Sequence, residues 1–553
     1  RRAEKIANIP EDIIKWALDY LSGVLSGPPN MIVPSLDYIL AESVIFDVSL
    51  ASNVAVHELT VHHINNLPTE LSATVPEWLK GNDMNFKVLK TVASRRLREK
   101  IAGGLLAQSP CGKNILHTGP HHDDIMLSYH PIMHEMLKNL AHATNGGRSR
   151  SGSGSGAHDS SNNLAVHTSK KLGLTPNLGE TFNDNVNHFA CLTSGFHSVN
   201  DSFLWRHVEY IRTGGNVNGD SKSNTNTPYS FLENIVNDGQ ISREYDDLMS
   251  EFYEAFVAKD SAAQDKVESI IFLRKIGEVW NLTLTHAYPV LIKELRIKID
   301  WLYDEYLMKH LPGDAIPKDI QLLKGCMRES EEDRVWALSR MPMNRVHHLR
   351  SKFYTDDFFT PMPSLRDDAM PVANMIKTRQ PDVLTVAFDP EGTGPDTHYK
   401  VLQVVAAGLR VSLTRKDLLK GPPIVWGYRN VWFEFTPSDA TIMMPCNATD
   451  MSLMHDVFMA SYTTQKNASF PSPHYDGPFS AWARQLLMKQ HKMLRVLLGD
   501  KYFSEHEDER IKNSSGFIFI KAMYAEHFLR EVEELRTKFE LKPVPHVSGN
   551  TVV

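Results

Sequence analysis

The stretch Gly119-Pro120-His121-His122-Asp123-Asp124-Ile125 gathers two imidazoles and two carboxylates in four consecutive positions. A His and an Asp can hold a divalent metal while a second Asp takes and returns a proton. The plain alternative is a turn whose aspartate caps a helix, a common use of that residue. A second loop, Asp389-Pro390-Glu391-Gly392-Thr393-Gly394-Pro395-Asp396-Thr397-His398, offers similar chemistry. Together the loops supply His121, Asp124 and His398. Three protein ligands plus an open water position is the usual arrangement of a catalytic zinc ion. Asp123 is then left beside the metal as general base and later acid, which fits amide or ester hydrolysis. His122, Asp389 and Asp396 are expected to touch or orient the ligands, with a helix cap as the other use of Asp396. His130 and His134 stand four apart, but Pro131 falls between them in the first turn. Ser194 lacks the elbow of a nucleophilic serine, and turn chemistry accounts for Gly392-Thr393-Gly394.

Both loops need strands behind them. Asn114-Ile115-Leu116-His117-Thr118 reads as a buried strand, and Pro381 to Phe388 is an apolar, β-branched run bounded by turn residues. A further strand is expected at His188–Gly195, another near Val346–Leu349, and helices at Glu329–Ser339 and Asp367–Thr378. Strand, loop and helix recur, so the chain predicts an α/β core with a mostly parallel, Rossmann-like sheet and flanking helices. Parallel strands end at one edge, where open α/β sheets bind ligands, so two loops far apart in sequence can meet. The expected organisation is a helical N-terminal region at 1–110, an α/β domain at 111–470 and a C-terminal helical extension at 471–553. The α/β domain carries a flexible loop at 145–170, marked by Gly/Ser-rich sequence, and a helical insertion at 203–320.

The 553 residues carry a net charge of −7, with 42% hydrophobic and 23% charged residues. That balance is ordinary for a globular chain and does not favour nucleic acid or an anionic membrane as partner. No apolar stretch reaches the roughly 18 residues of a membrane span. Cys111, Cys191, Cys326 and Cys446 are widely spaced, so a reducing, cytoplasmic setting is expected rather than a disulfide framework. The chain opens Arg1-Arg2 without an initiator Met, as a fragment or a processed form would.

Pro120-His121-His122-Asp123-Asp124 resembles the His-Pro-Asp-Asp motif of the PIG-L/LmbE-like zinc deacetylases, which remove acetyl groups from N-acetylglucosamine-type sugars. The resemblance implies zinc on His121 and Asp124, Asp123 as general base, and His398 as the last ligand, matched through Gly394-Pro395-Asp396-Thr397-His398. It covers roughly 112–205 and 321–465. It extends to the Glu329–Ala337 helix with the following Val346-His347-His348-Leu349, and to Thr193-Ser194-Gly195. The implied activity is deacetylation of an amino sugar or its conjugate. Two positions depart from the pattern. His122 replaces the usual Pro. Pro395 falls where the family places a His that assists the reaction, leaving His347, His348 or His474 as substitutes, or an inactive metal-binding domain. Ile115 to Asp124 also looks like a subgroup in which this domain follows a glucosamine-6-phosphate deaminase-like domain. Residues 1–110 would then be the tail of such a domain, and the chain part of a deaminase/isomerase-like protein of carbohydrate metabolism.

Overall fold

A computed structural model describes residues 10–25, 34–67, 83–108, 112–133, 186–214, 227–284, 288–311, 313–357, 360–389, 396–472 and 474–539. The loop expected at 145–170, residues 134–144 of the helix expected at 131–144, His134 among them, and Pro395 with its neighbours 390–394 lie outside the described residues.

The protein is α/β, built on a seven-stranded, mostly parallel sheet with flanking helices, an arrangement compatible with a Rossmann-like fold. The strands are β1 (Asn114–Gly119), β2 (Val186–Cys191), β3 (Val346–His348), β4 (Val383–Ala387), β5 (Ile424–Tyr428), β6 (Ile442–Cys446) and β7 (Gly516–Tyr524), in the order β3-β2-β1-β4-β5-β7-β6. The first five are parallel, and β7 runs antiparallel to both β5 and β6. β1 and β4 are buried on both faces, which is why they read as continuous apolar runs. Alternate residues feed two cores: Leu116, Leu384 and Val425 face one side, and Ile115, Val383 and Trp426 the other.

Chain direction from β1 goes outward through β2 and β3, then returns to β4 on the other flank. The β1/β4 boundary is therefore the switch point of the sheet. In open α/β sheets a switch point is where ligands bind, beyond the C-terminal ends of the strands.

The N-terminal helices Leu36–Ser52 and Asp83–Ala107 pack into the same core as the sheet. The close approach of Asp83–Ala107 to β6 depends on Gly104, whose added Cβ would clash with the Met443 carbonyl. Helices Asp201–Arg212, Ser230–Asn237, Tyr245–Val257, Ser261–Val279 and Tyr288–Trp301 form a separate apolar cluster. The helix Lys318–Leu338 lies between that cluster and the sheet, contributing Leu323 and Met327 to one and Val335 and Trp336 to the other. Every residue from Lys324 to Ala337 is buried, charged ones included.

Within the C-terminal extension expected to be largely helical, β7 adds a strand that inserts into the sheet between β5 and β6. Phe517 to Ile520 are buried on both faces, so the run lacks the alternation that marks a half-exposed strand. No helix among the described residues is long and apolar enough to cross a membrane.

Candidate metal centre

β1 ends at Gly119, and a helix begins at Asp124 and runs over 124–133. The four residues between make the turn that carries His121 and Asp123. Thr193, just beyond β2, clamps this turn by donating its hydroxyl to the Pro120 carbonyl at 2.8 Å. Asp124 folds back to accept the His121 backbone N–H at 2.7 Å. On the neighbouring strand, β4 runs into Asp389, and His398 sits in the first turn of the helix Asp396–Thr414.

The switch point brings His121, Asp124 and His398 together. His121 Nδ1 is 3.1 Å from His398 Nε2, and each lies 3.5 Å from Asp124 Oδ2. Ligand atoms around a tetrahedral zinc ion, at bonds of about 2.0–2.1 Å, stand about 3.3 Å apart. The triangle therefore has the dimensions of one face of such a tetrahedron. His398 and Asp124 are buried, while His121 is partly open to solvent.

The surroundings fix which atoms face inward. Asp389 Oδ2 lies 3.0 Å from His398 Nδ1, so an ionised carboxylate there places the proton on Nδ1 and leaves the Nε2 lone pair for the centre. Asn430, just beyond β5, donates to Asp124 Oδ1 at 2.8 Å and leaves Oδ2 turned to the two imidazoles. Burial alone would raise the Asp124 pKa, but His398, His121 and the His121 backbone N–H together hold it below the usual carboxylate range. Burial lowers and Asp124 and Asp389 raise the His398 pKa, with a net rise. An imidazole must be unprotonated to bind a metal, so a metal ion at this triangle would take the place of a proton.

Asp123 is outside the triangle. Its Oδ2 is 3.4 Å from Arg328 Nη2, a buried guanidinium on the helix Lys318–Leu338. Arg328 is also tied to Glu331 and, at 3.0 Å, to the Thr464 hydroxyl. His122 is buried, and neither ring nitrogen has a hydrogen-bond partner. Burial, then the neighbouring His348 and Arg328, push its pKa well below the ordinary value. Asp396 is not drawn in: its side chain is 67% exposed and pairs with Lys400 at 2.5 Å.

The three histidines considered as substitutes at Pro395 separate clearly. His348 packs against His122, with ring centroids 5.5 Å apart, and is held by Asp333 at 3.1 Å. His347 pairs instead with His188 at 3.2 Å, and His474 is exposed. Asn430, Arg328 and Tyr462 are site neighbours that sequence reasoning missed. A cavity of about 470 Å³ lined by His57, Lys90, Arg95 and Arg98 contains none of these side chains.

No protein-family model matches the chain, and no solved structure matches it. The chain is similar to a putative glucosamine-6-phosphate deaminase-like protein of Bacteroides thetaiotaomicron, at 21% identity over 241 residues. The alignment covers 43% of this chain and 35% of that protein, so the chain spans about a third of the length of the curated relative it matches.

Proposed function

We propose that His121, Asp124 and His398 hold one divalent metal ion and that the protein hydrolyses the N-acyl amide of an amino sugar in carbohydrate metabolism. The observation that carries the reading is the triangle of inward-facing atoms at 3.1, 3.5 and 3.5 Å. Two imidazoles and one carboxylate suit zinc and its first-row neighbours alike, and the motif resemblance favours zinc. When bound, the ion supplies Lewis-acid polarisation of a carbonyl and a more acidic water. Asp389 and Asn430 orient the ligands. Asp123, next in chain to the triangle and steered by Arg328, accepts the proton of the attacking water and returns it to the leaving amine.

The substrate class rests on the resemblance and on the similarity to a protein described as glucosamine-6-phosphate deaminase-like. That similarity also favours a second reading, in which the chain is part of a deaminase-like protein of amino-sugar metabolism. The two readings are chemically adjacent, since N-deacetylation releases the free amino sugar that a deaminase consumes. Turnover of N-acetylglucosamine, its 6-phosphate and chitooligosaccharides by metal-loaded protein tests the first reading. Acetate release that disappears in Asp123→Asn supports it. Bound metal with no turnover on the panel, and no change in Asp123→Asn, replaces it with a non-catalytic metal-binding domain.

A further inference from the structure

Glu332 is buried on the helix Lys318–Leu338, one turn before Trp336, and is joined through Tyr462 to the turn that carries His121 and Asp123. Its Oε1 accepts from the Trp336 indole N–H at 2.6 Å. Its Oε2 lies 2.5 Å from the Tyr462 hydroxyl. That same hydroxyl bonds the backbone carbonyl of His122, between His121 and Asp123. A tyrosine hydroxyl has one proton, and a backbone carbonyl has none. If Tyr462 donates to the carbonyl, its oxygen faces Glu332 with nothing to share. If it donates to a carboxylate, its lone pairs face the carbonyl. One further proton satisfies both contacts, and Glu332 Oε2 is where it belongs. No ion pair involves Glu332 among the described residues, and a buried carboxylate without a cation is costly.

We infer that Glu332 is a neutral carboxylic acid that donates to Tyr462, which in turn donates to the His122 carbonyl, making Glu332 a positioning residue for the metal-centre turn. Each of these contacts then has one proton, from indole N–H to carboxyl, from carboxyl to phenol and from phenol to carbonyl. Titratable groups face Glu332 from each neighbouring element: Tyr462 after the helix Ala448–Ser461, His348 on β3, Asp123 on the turn, Cys191 on β2 and Tyr129 in the 124–133 helix. Burial, opposed by the Tyr462 and Trp336 hydrogen bonds and by His348, moves the carboxyl pKa up to about 8.

The protonation stands without the proposed hydrolysis. Only its consequence for metal binding rests on that reading. Infrared difference spectra of wild type against Glu332→Gln at pH 6 test it directly. The expected result is a protonated-carboxyl C=O band in wild type that shifts in D2O and is missing from the variant. The amide of Glu332→Gln offers the same donor and acceptor, so the variant is expected to fold and bind Zn2+ as wild type does. Glu332→Ala removes the donor and should weaken Zn2+ binding about 10–100-fold, as loss of an orienting partner does. Thermal stability gives the pH signature. The carboxyl's folded value of about 8 lies above its ordinary 4.5. Its contribution is complete below the lower value, is lost as pH rises towards the higher one, and is flat beyond it. Wild type should therefore lose about one proton's worth of stability per pH unit across that window relative to Glu332→Gln. A missing band, parallel pH curves, or a Glu332→Gln chain that does not fold overturns the inference. A normal band in protein that binds no Zn2+ leaves it standing and removes the proposed function.

Discussion

Glu42, Arg96 and Lys100 on the N-terminal helices, and His121, Asp124 and His398 at the sheet edge, are two polar trios, the first buried throughout and the second partly open to solvent at His121. Glu42 takes Arg96 Nε at 3.0 Å and Lys100 Nζ at 3.5 Å, and Tyr38 adds a hydroxyl at 3.4 Å. Lys100 also donates to the Pro437 carbonyl at 2.6 Å, and Arg96 lies over the rings of Trp16, Tyr20 and Tyr38. No nitrogen or oxygen of these three side chains is buried without a partner. Around the second trio, both nitrogens of His122, His348 Nδ1, Arg328 Nε and Asp389 Oδ1 are buried without one. A folded chain rarely leaves such groups unmatched, because each costs about 1–3 kcal/mol. The closed trio ties helices to the sheet. At the open one the unmatched donors and acceptors belong to its neighbours His122, His348, Arg328 and Asp389, not to the trio itself.

Mutations should separate the two. Asp123→Asn is expected to retain the metal and lose about 10²–10⁴-fold in turnover, read from acetate release at saturating metal. Glu42→Ala leaves Arg96 and Lys100 buried without their carboxylate and should cost about 3–5 kcal/mol in chemical denaturation. Metal stoichiometry of the folded fraction should not change. If Glu42→Ala removed metal as well, the two trios would not be independent. Asp389→Asn weakens the partner that fixes the His398 tautomer, so metal affinity should fall about 10–100-fold by calorimetric titration. Gly195→Ala should have the smallest effect. Gly195 has φ +63°, and an added Cβ would stand 3.1 Å from His122 Nδ1, so a loss of about 1–2 kcal/mol is expected. An unchanged Gly195→Ala would mean that the space beside His122 is not confined.

The meeting of the two loops was legible because a parallel sheet sends its strand ends to one edge, and the apolar runs of β1 and β4 identify strands. The proton-bearing partners were not. Arg328 and Glu332 belong to a helix with charges on every side, a pattern that ordinarily reads as a solvated surface. It is buried because the apolar cluster of helices within 201–301 covers it, and that depends on packing between segments distant in sequence. Asn430 is a single amide after β5 with no spacing to mark it. β7 was hidden for another reason: Phe517 to Ile520 is too short and too uniformly apolar for periodicity to separate strand from helix.

Metal content decides whether His121, Asp124 and His398 form a metal centre. Wild-type protein, loaded with Zn2+ and dialysed, should retain one divalent ion per chain. His121→Ala should lose it while keeping the wild-type circular dichroism spectrum. Wild-type protein that retains no ion, or a His121→Ala protein that retains it undiminished, would show that these three side chains are not a metal centre.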